Sequence, residues 1–232
     1  MALSVIFDLD GTLIDTAPDL VATLNVIFAR EGLAPMALSD ARPMIGAGAR
    51  RLIEQGLALQ AAALKPADID RLYADYLAYY AEHIADHSRP FPGLDAALDA
   101  LEARGCRFAV CTNKLEWLSV RLLDALNLSG RFAAICGQDT FGVQKPDPEI
   151  LRRTVLSAGG DLAQAVMVGD SATDIATARA AGMPVIAVDF GYTDVPVTAL
   201  GPDRVISAFD ALPKAVLELM TGTASAAGPK TP

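Results

Sequence analysis

Short apolar runs alternate with helix-spaced apolar positions along most of this chain. Residues 3–8 form a run that ends in acidic residues, the pattern of a buried parallel strand. Similar runs recur at 106–112, 133–137, 165–169 and 184–188, with a weaker one at 203–206. Helix-period patterns lie between them at 93–104, 114–126, 147–158 and 171–181, and one more follows at 209–220. This alternation predicts an α/β fold: a parallel sheet with helices on both faces. Such sheets bind ligands at the carboxyl ends of their strands, which directs attention to the polar residues just after each run.

One segment departs from the alternation. Residues 16–82 carry helical spacing (Leu20, Leu24, Ile27, Phe28; then Leu72, Tyr73, Tyr76, Leu77, Tyr80) and no strand pattern. A crossover needs far fewer residues. A small all-helical cap inserted after the first strand accounts for them, with Phe91-Pro92-Gly93 marking the return. The expected division is a Rossmann-like core at 1–15 and 83–220 and a cap at 16–82. A disordered tail is expected at 221–232, where the residues are small, polar and interrupted by Pro and Gly.

Composition removes several function classes. With 232 residues, 52% hydrophobic and 20% charged, the chain can fold around a core without disulfides or a structural metal. No apolar run reaches the roughly 18 residues of a membrane span, and no basic, apolar leader is visible, so a cytoplasmic location is expected. A net charge of −9 and a pI near 4.6 offer no field for nucleic acid or anionic membranes. The expected partner is a small molecule, on a monomer or homodimer, and an anionic substrate would need a local cation. Cys106, Cys111 and Cys136 are odd in number and lie in apolar segments, as buried thiols of a reducing compartment do.

Four strand ends carry chemistry. The first reads Asp8-Leu9-Asp10-Gly11-Thr12, two carboxylates projecting similarly from extended chain, with a glycine permitting a sharp turn. Thr112-Asn113-Lys114 places a hydroxyl before a helix whose N-terminus attracts anions, with Asn113 in position to cap it. Lys145-Pro146-Asp147-Pro148 reads as a helix start capped by Asp147, which leaves Lys145, one of five lysines, as a fixed positive charge. In Gly169-Asp170-Ser171-Ala172-Thr173-Asp174, Ser171 and Asp174 fit a capping box, whereas Asp170 falls where a third carboxylate would join Asp8 and Asp10. Carboxylates about 4–6 Å apart repel by roughly 3–4 kcal/mol per pair at an effective dielectric near 20, so the cluster calls for a cation. Hard oxygen ligands with room for water and phosphate describe Mg²⁺. Together with Lys145 and Thr112 they make a phosphoryl site in which Asp8 is a candidate nucleophile.

The ordered series Asp8-x-Asp10-x-Thr12, Thr112-Asn113, Lys145-Pro146 and Gly169-Asp170-Ser171-x-x-Asp174 resembles the four motifs of the haloacid dehalogenase-like hydrolases, across the whole core. The helical insert resembles the smaller cap class of that superfamily. Thr16-Ala17-Pro18-Asp19-Leu20, Ile45-Gly46-Ala47-Gly48-Ala49 and Phe190-Gly191-Tyr192 look most like its phosphoglycolate phosphatase branch. The resemblance implies an Mg²⁺-dependent phosphomonoesterase in which Asp8 forms an aspartyl-phosphate and Asp10 acts first as acid, then as base. It implies metal ligands at the Asp8 carboxylate, the Asp10 carbonyl and Asp170, with Asp174 a further candidate at the metal, as an outer support, or only the capping partner of Ser171. Thr112, Asn113 and Lys145, with Thr12, would hold the phosphoryl oxygens. 2-Phosphoglycolate ranks first as substrate, ahead of a sugar phosphate, N-acetylmuramate 6-phosphate or pyrophosphate, and a phosphomutase is the neighbouring alternative.

Other features read differently. The stretch from Gly46 to Arg51 follows no buried strand and lacks the last glycine of a dinucleotide loop. It is expected to be a substrate loop facing the core, with Gly46 and Arg50 or Arg51 as candidates to meet a substrate carboxylate. His83 and His87 have metal-ligand spacing but no third ligand nearby, and Tyr73, Tyr76, Tyr79 and Tyr80 read as packing. A phosphate-accepting signalling module gathers similar residues but is shorter and capless. A dehalogenase would leave Asp10 idle, and a phosphonatase needs a cap lysine where only Lys65 stands.

Overall fold

The computed structural model describes residues 2–62, 65–193 and 195–226. The chain runs through β1 (Ser4–Phe7) and the short β2 (Ile14–Asp15) into the cap helices α1 (Ala17–Arg30), α2 (Leu38–Ala41), α3 (Ala49–Leu59) and α4 (Pro66–Glu82). It returns through β3 (Arg89–Pro90). The core continues as α5 (Leu94–Glu102), β4 (Arg107–Cys111), α6 (Glu116–Ala125), β5 (Ala134–Cys136), α7 (Pro148–Ser157) and β6 (Ala165–Gly169). It closes with α8 (Ala172–Ala181), β7 (Val185–Val188), β8 (Arg204–Ile206) and α9 (Leu212–Ala226). Six strands form one parallel sheet in the order β5-β4-β1-β6-β7-β8, as the alternation predicts. The weak run at 203–206 is the edge strand β8. With one neighbour and partial exposure, it needs less apolar character than the central strands.

Successive strand residues feed two cores. Val5, Phe7, Val166 and Val168 pack with α5, α6 and α9 on one face, whereas Ile6, Ala165 and Met167 pack with α7 and α8 on the other. Each fully buried side chain of this size contributes about 1.5–3 kcal/mol. In the cap, Leu20, Leu24, Ile27 and Phe28 join Leu72, Tyr76 and Tyr80 in the first of these cores, and Tyr76 donates its hydroxyl hydrogen to the Leu20 carbonyl at 3.0 Å. The two connections between cap and core are tied together. Antiparallel β2 and β3 pair directly, and the buried Asp19 carboxylate accepts from the His87 and Ser88 amides and the Ser88 hydroxyl.

The terminal helix departs from the sequence reading. Disorder was expected from residue 221, yet α9 continues to Ala226. Leu212 and Val216 anchor its start in the core, and each further residue adds a hydrogen bond to a helix already nucleated. Residues 227–232 lie outside the described ones. Among the described helices, none is long and apolar enough to cross a membrane.

Candidate active site

The strand ends converge. Beyond β1 the Asp8 amide donates to the Val168 carbonyl at 2.9 Å, which carries the Asp8 carboxylate to the carboxyl edge of the sheet and buries it. Gly11 then turns the chain at φ +83°; a Cβ there would lie 2.5 Å from Asp170 Oδ2 and 2.9 Å from the Tyr192 ring. Asp170, just past β6, accepts from the Thr12 hydroxyl at 3.0 Å and from the Tyr192 amide at 2.8 Å. The expected capping box of α8 is present. Asp174 Oδ2 accepts from the Ser171 amide and hydroxyl at 3.1 and 2.6 Å, while its Oδ1 accepts from Lys145 Nζ at 2.6 Å. Asp147 caps α7, also as expected.

Lys145 is held from both ends. Asn113 Oδ1 accepts its amide hydrogen at 2.9 Å, and Asn113 Nδ2 donates to its carbonyl at 3.2 Å and to the Gly46 carbonyl of the cap at 3.2 Å. Asn113 therefore does not cap α6. Leu115 occupies that position, because the Asn113 amide is spent on joining the cap loop to the loop before α7. The Lys145 ammonium lies 2.9 Å from Asp8 Oδ1 as an ion pair, not an aligned hydrogen bond, which leaves that buried oxygen without a donor.

Carboxylate oxygens of Asp8, Asp170 and Asp174 lie within 4.8 Å of one another, all buried. Burial, opposed by Lys145, pushes Asp8 up to about 6. Burial, reinforced by the charges of Asp174 and Asp8, pushes Asp170 up to about 8. For Lys145 burial works against the charge, but Asp174 and Asp8 outweigh it and hold the ammonium well above its ordinary range. One fixed cation thus faces carboxylates that burial makes reluctant to ionise, and a hard divalent cation would supply the charge they lack. Asp8, with its donor-free oxygen, and Asp170 fit such an ion. Asp174 completes the cluster; its oxygens accept from Lys145 and Ser171, as those of Asp170 accept from Thr12 and Tyr192.

A cavity open to solvent lies between core and cap, with Asp8 of this cluster in its wall. Asp8, Asp10, Thr112, Asn113 and Lys114 line it from the core, and Gly46, Tyr73, Tyr76 and Tyr80 from the cap. Asp10 accepts from the Thr16 hydroxyl at 2.8 Å and, through both oxygens, from Lys114 Nζ at 3.0 Å. Not every candidate faces this space. Thr12, expected among the phosphate-binding residues, is fully buried and braces Asp170 instead. Arg50 reaches outward to Asp70 at 2.6 Å and lies over the Tyr73 ring, and Arg51 pairs with Glu54. His83 pairs with Asp86 and stacks on Tyr79, and neither it nor His87 is in the carboxylate cluster. Three of the four tyrosines read as packing are cavity wall. Lys114 escaped notice as a cavity cation; its place inside the Thr-Asn-Lys motif, in a chain with so few lysines, was the available signal.

The family model of the haloacid dehalogenase-like hydrolases matches residues 5–188. The chain is 48% identical over 222 residues to the phosphoglycolate phosphatase of Agrobacterium fabrum, covering 96% of this chain and 95% of that protein. It is 47% identical over 218 residues to the phosphoglycolate phosphatase of Caulobacter vibrioides, covering 94% and 92%. A crystal structure described as a predicted phosphoglycolate phosphatase from Haemophilus somnus superposes with a TM-score of 0.85 at 27% identity, covering 92% of this chain and 97% of that one.

Proposed function

This chain belongs to the haloacid dehalogenase-like hydrolases, and from that membership we propose that it hydrolyses 2-phosphoglycolate to glycolate and phosphate. It is a phosphoric monoester hydrolase. The observation that carries the chemistry is the Asp8 carboxylate held at the sheet edge 2.9 Å from a fixed ammonium, with Asp10 in the same cavity. Asp8 attacks phosphorus, the phosphorus–ester oxygen bond breaks, and Asp10 gives its proton to the departing glycolate oxygen. A water then attacks the aspartyl-phosphate, Asp10 takes the water's proton, and the bond to Asp8 breaks to release phosphate.

Lys145 balances the charge gathering on the phosphoryl oxygens, and Thr112 and Asn113, which line the same cavity, flank them. Asp174 positions Lys145. The carboxylates of Asp8 and Asp170 and the Asp10 carbonyl would hold Mg²⁺, which when bound offsets the negative charge of the phosphate and of the acidic cluster. Three free cysteines and the absence of a membrane-crossing helix among the described residues support action in the cytoplasm.

The test is a panel of phosphorylated metabolites ranked by kcat/KM with Mg²⁺ present. 2-Phosphoglycolate is expected to lead by at least about tenfold, and chelation to stop turnover until Mg²⁺ is restored. A sugar phosphate, N-acetylmuramate 6-phosphate or pyrophosphate in first place would overturn the substrate assignment.

A further inference from the structure

We infer that Lys114, with the Tyr80 hydroxyl beside it, receives the carboxylate of the substrate and so selects it; this rests on the 2-phosphoglycolate reading. Among the described residues lining the cavity, Lys114 is the one cation. The arginines at the start of α3 are paired elsewhere. The lysine is buried, and its Nζ lies 3.0 Å from both Asp10 oxygens and 4.7 Å from the centre of the Tyr80 ring. An ammonium has three donors, and Asp10 takes two. Tyr80 lines the same cavity, and its hydroxyl is buried without a hydrogen-bond partner. A buried hydroxyl normally finds one, so a ligand is the natural occupant.

Chemistry fixes which part of the ligand arrives there. Asp10 serves the leaving oxygen, so the organic part of the substrate lies on the Asp10 side of phosphorus, where Lys114 stands. In 2-phosphoglycolate a single methylene separates that oxygen from the carboxylate. Leu52, Leu77 and Leu118 of the same wall offer a carboxylate no partner, where an unpaired charge is heavily penalised, and apart from Lys114 its polar side chains, Gln138 and Tyr73 among them, bring no positive charge. Selection therefore falls on the one ammonium within reach.

The test compares 2-phosphoglycolate with ethyl phosphate, which keeps the ester carbon chain and lacks the carboxylate. The ratio of their kcat/KM values is expected to fall roughly ten- to a hundredfold in Lys114→Met, chiefly through KM, and to recover in part in Lys114→Arg. Inhibition by 3-phosphonopropionate against propylphosphonate reads binding without proton transfer, and the parent's preference for the former should fall alongside. Tyr80→Phe removes only an unbonded oxygen and is expected to lower the same ratios several-fold, which keeps the test open should Lys114→Met fail to fold. An unchanged ratio, with kcat for both substrates dropping together, would mean that Lys114 only holds Asp10, and would overturn the inference. A parent without preference for 2-phosphoglycolate removes the substrate reading and this inference with it. A preference that survives in the variants removes this inference alone.

Discussion

Replacing Asp170 with Asn should make the metal-free protein more stable at neutral pH while destroying its activity. Asp170 is fully enclosed beside two other carboxylates, and its proton affinity is raised from 3.8 to about 8 by burial and by those neighbours. Between those two values the folded state holds a proton on this group that the unfolded state does not. By linkage, the parent loses stability as pH rises through that window, at about 1.4 kcal/mol per pH unit. Asn has no such slope. It gives up one acceptor, serving either the Thr12 hydroxyl or the Tyr192 amide, at a pH-independent cost of about 1 kcal/mol. From about pH 5 to about pH 7 the variant should therefore gain roughly 3 kcal/mol on the parent, enough to outweigh the lost acceptor. Urea unfolding of both proteins in excess chelator across that range measures it. Added Mg²⁺ should raise the parent's midpoint and leave the variant's nearly unmoved. A stability gap that stays flat with pH, or a variant less stable than the parent at about pH 7.5, would refute the reasoning that burial and like charge set the state of this site.

Two further substitutions probe how the site is held. Gly11→Ala forces a side chain into a positive-φ turn and against Asp170 Oδ2 and the Tyr192 ring, so a loss of at least about 2 kcal/mol is expected by urea unfolding. Asn113→Ala releases the Lys145 backbone without touching its ammonium. The fold should survive by circular dichroism while kcat falls roughly ten- to a hundredfold, and a kcat within about threefold of the parent would show that the clamp is unnecessary.

What the sequence made legible follows from where the information lies along the chain. The parallel sheet could be read because each central strand is buried on both faces and so appears as an unbroken apolar run. Asp8, Asp10, Lys145 and Asp170 could be singled out because strand ends put them at one edge of that sheet. The motif position of Thr12 suggests a phosphate contact, but only coordinates show that the turn at Gly11 swings its hydroxyl under Asp170. The tyrosines of α4 have the spacing of a packing stripe, and the same stripe also forms a cavity wall, since one helix face serves both. Lys114 was harder still. Its partner Asp10 lies 104 positions away, and the Thr-Asn-Lys motif marks the lysine without showing that it faces a carboxylate.

The amide of Asn113 explains why cap and core must be considered as one machine at this site. A single side chain donates to Gly46 in the cap and clamps the backbone of Lys145, whose ammonium stands between Asp8 and Asp174. A shift of the Gly46 loop is therefore expected to reach the side chain that clamps the backbone of Lys145, the lysine paired with Asp8. Tyr192 makes a parallel link. Its amide holds Asp170, while its hydroxyl donates to Asp15 and accepts from the Ala17 amide, at the point where the chain enters the cap. Asp15 in turn holds Arg42 of the cap at 2.9 Å. Asp170 and the Lys145 backbone are thus each one residue removed from a cap contact, through Tyr192 and Asn113, so a change in the seating of the cap is expected to reach both.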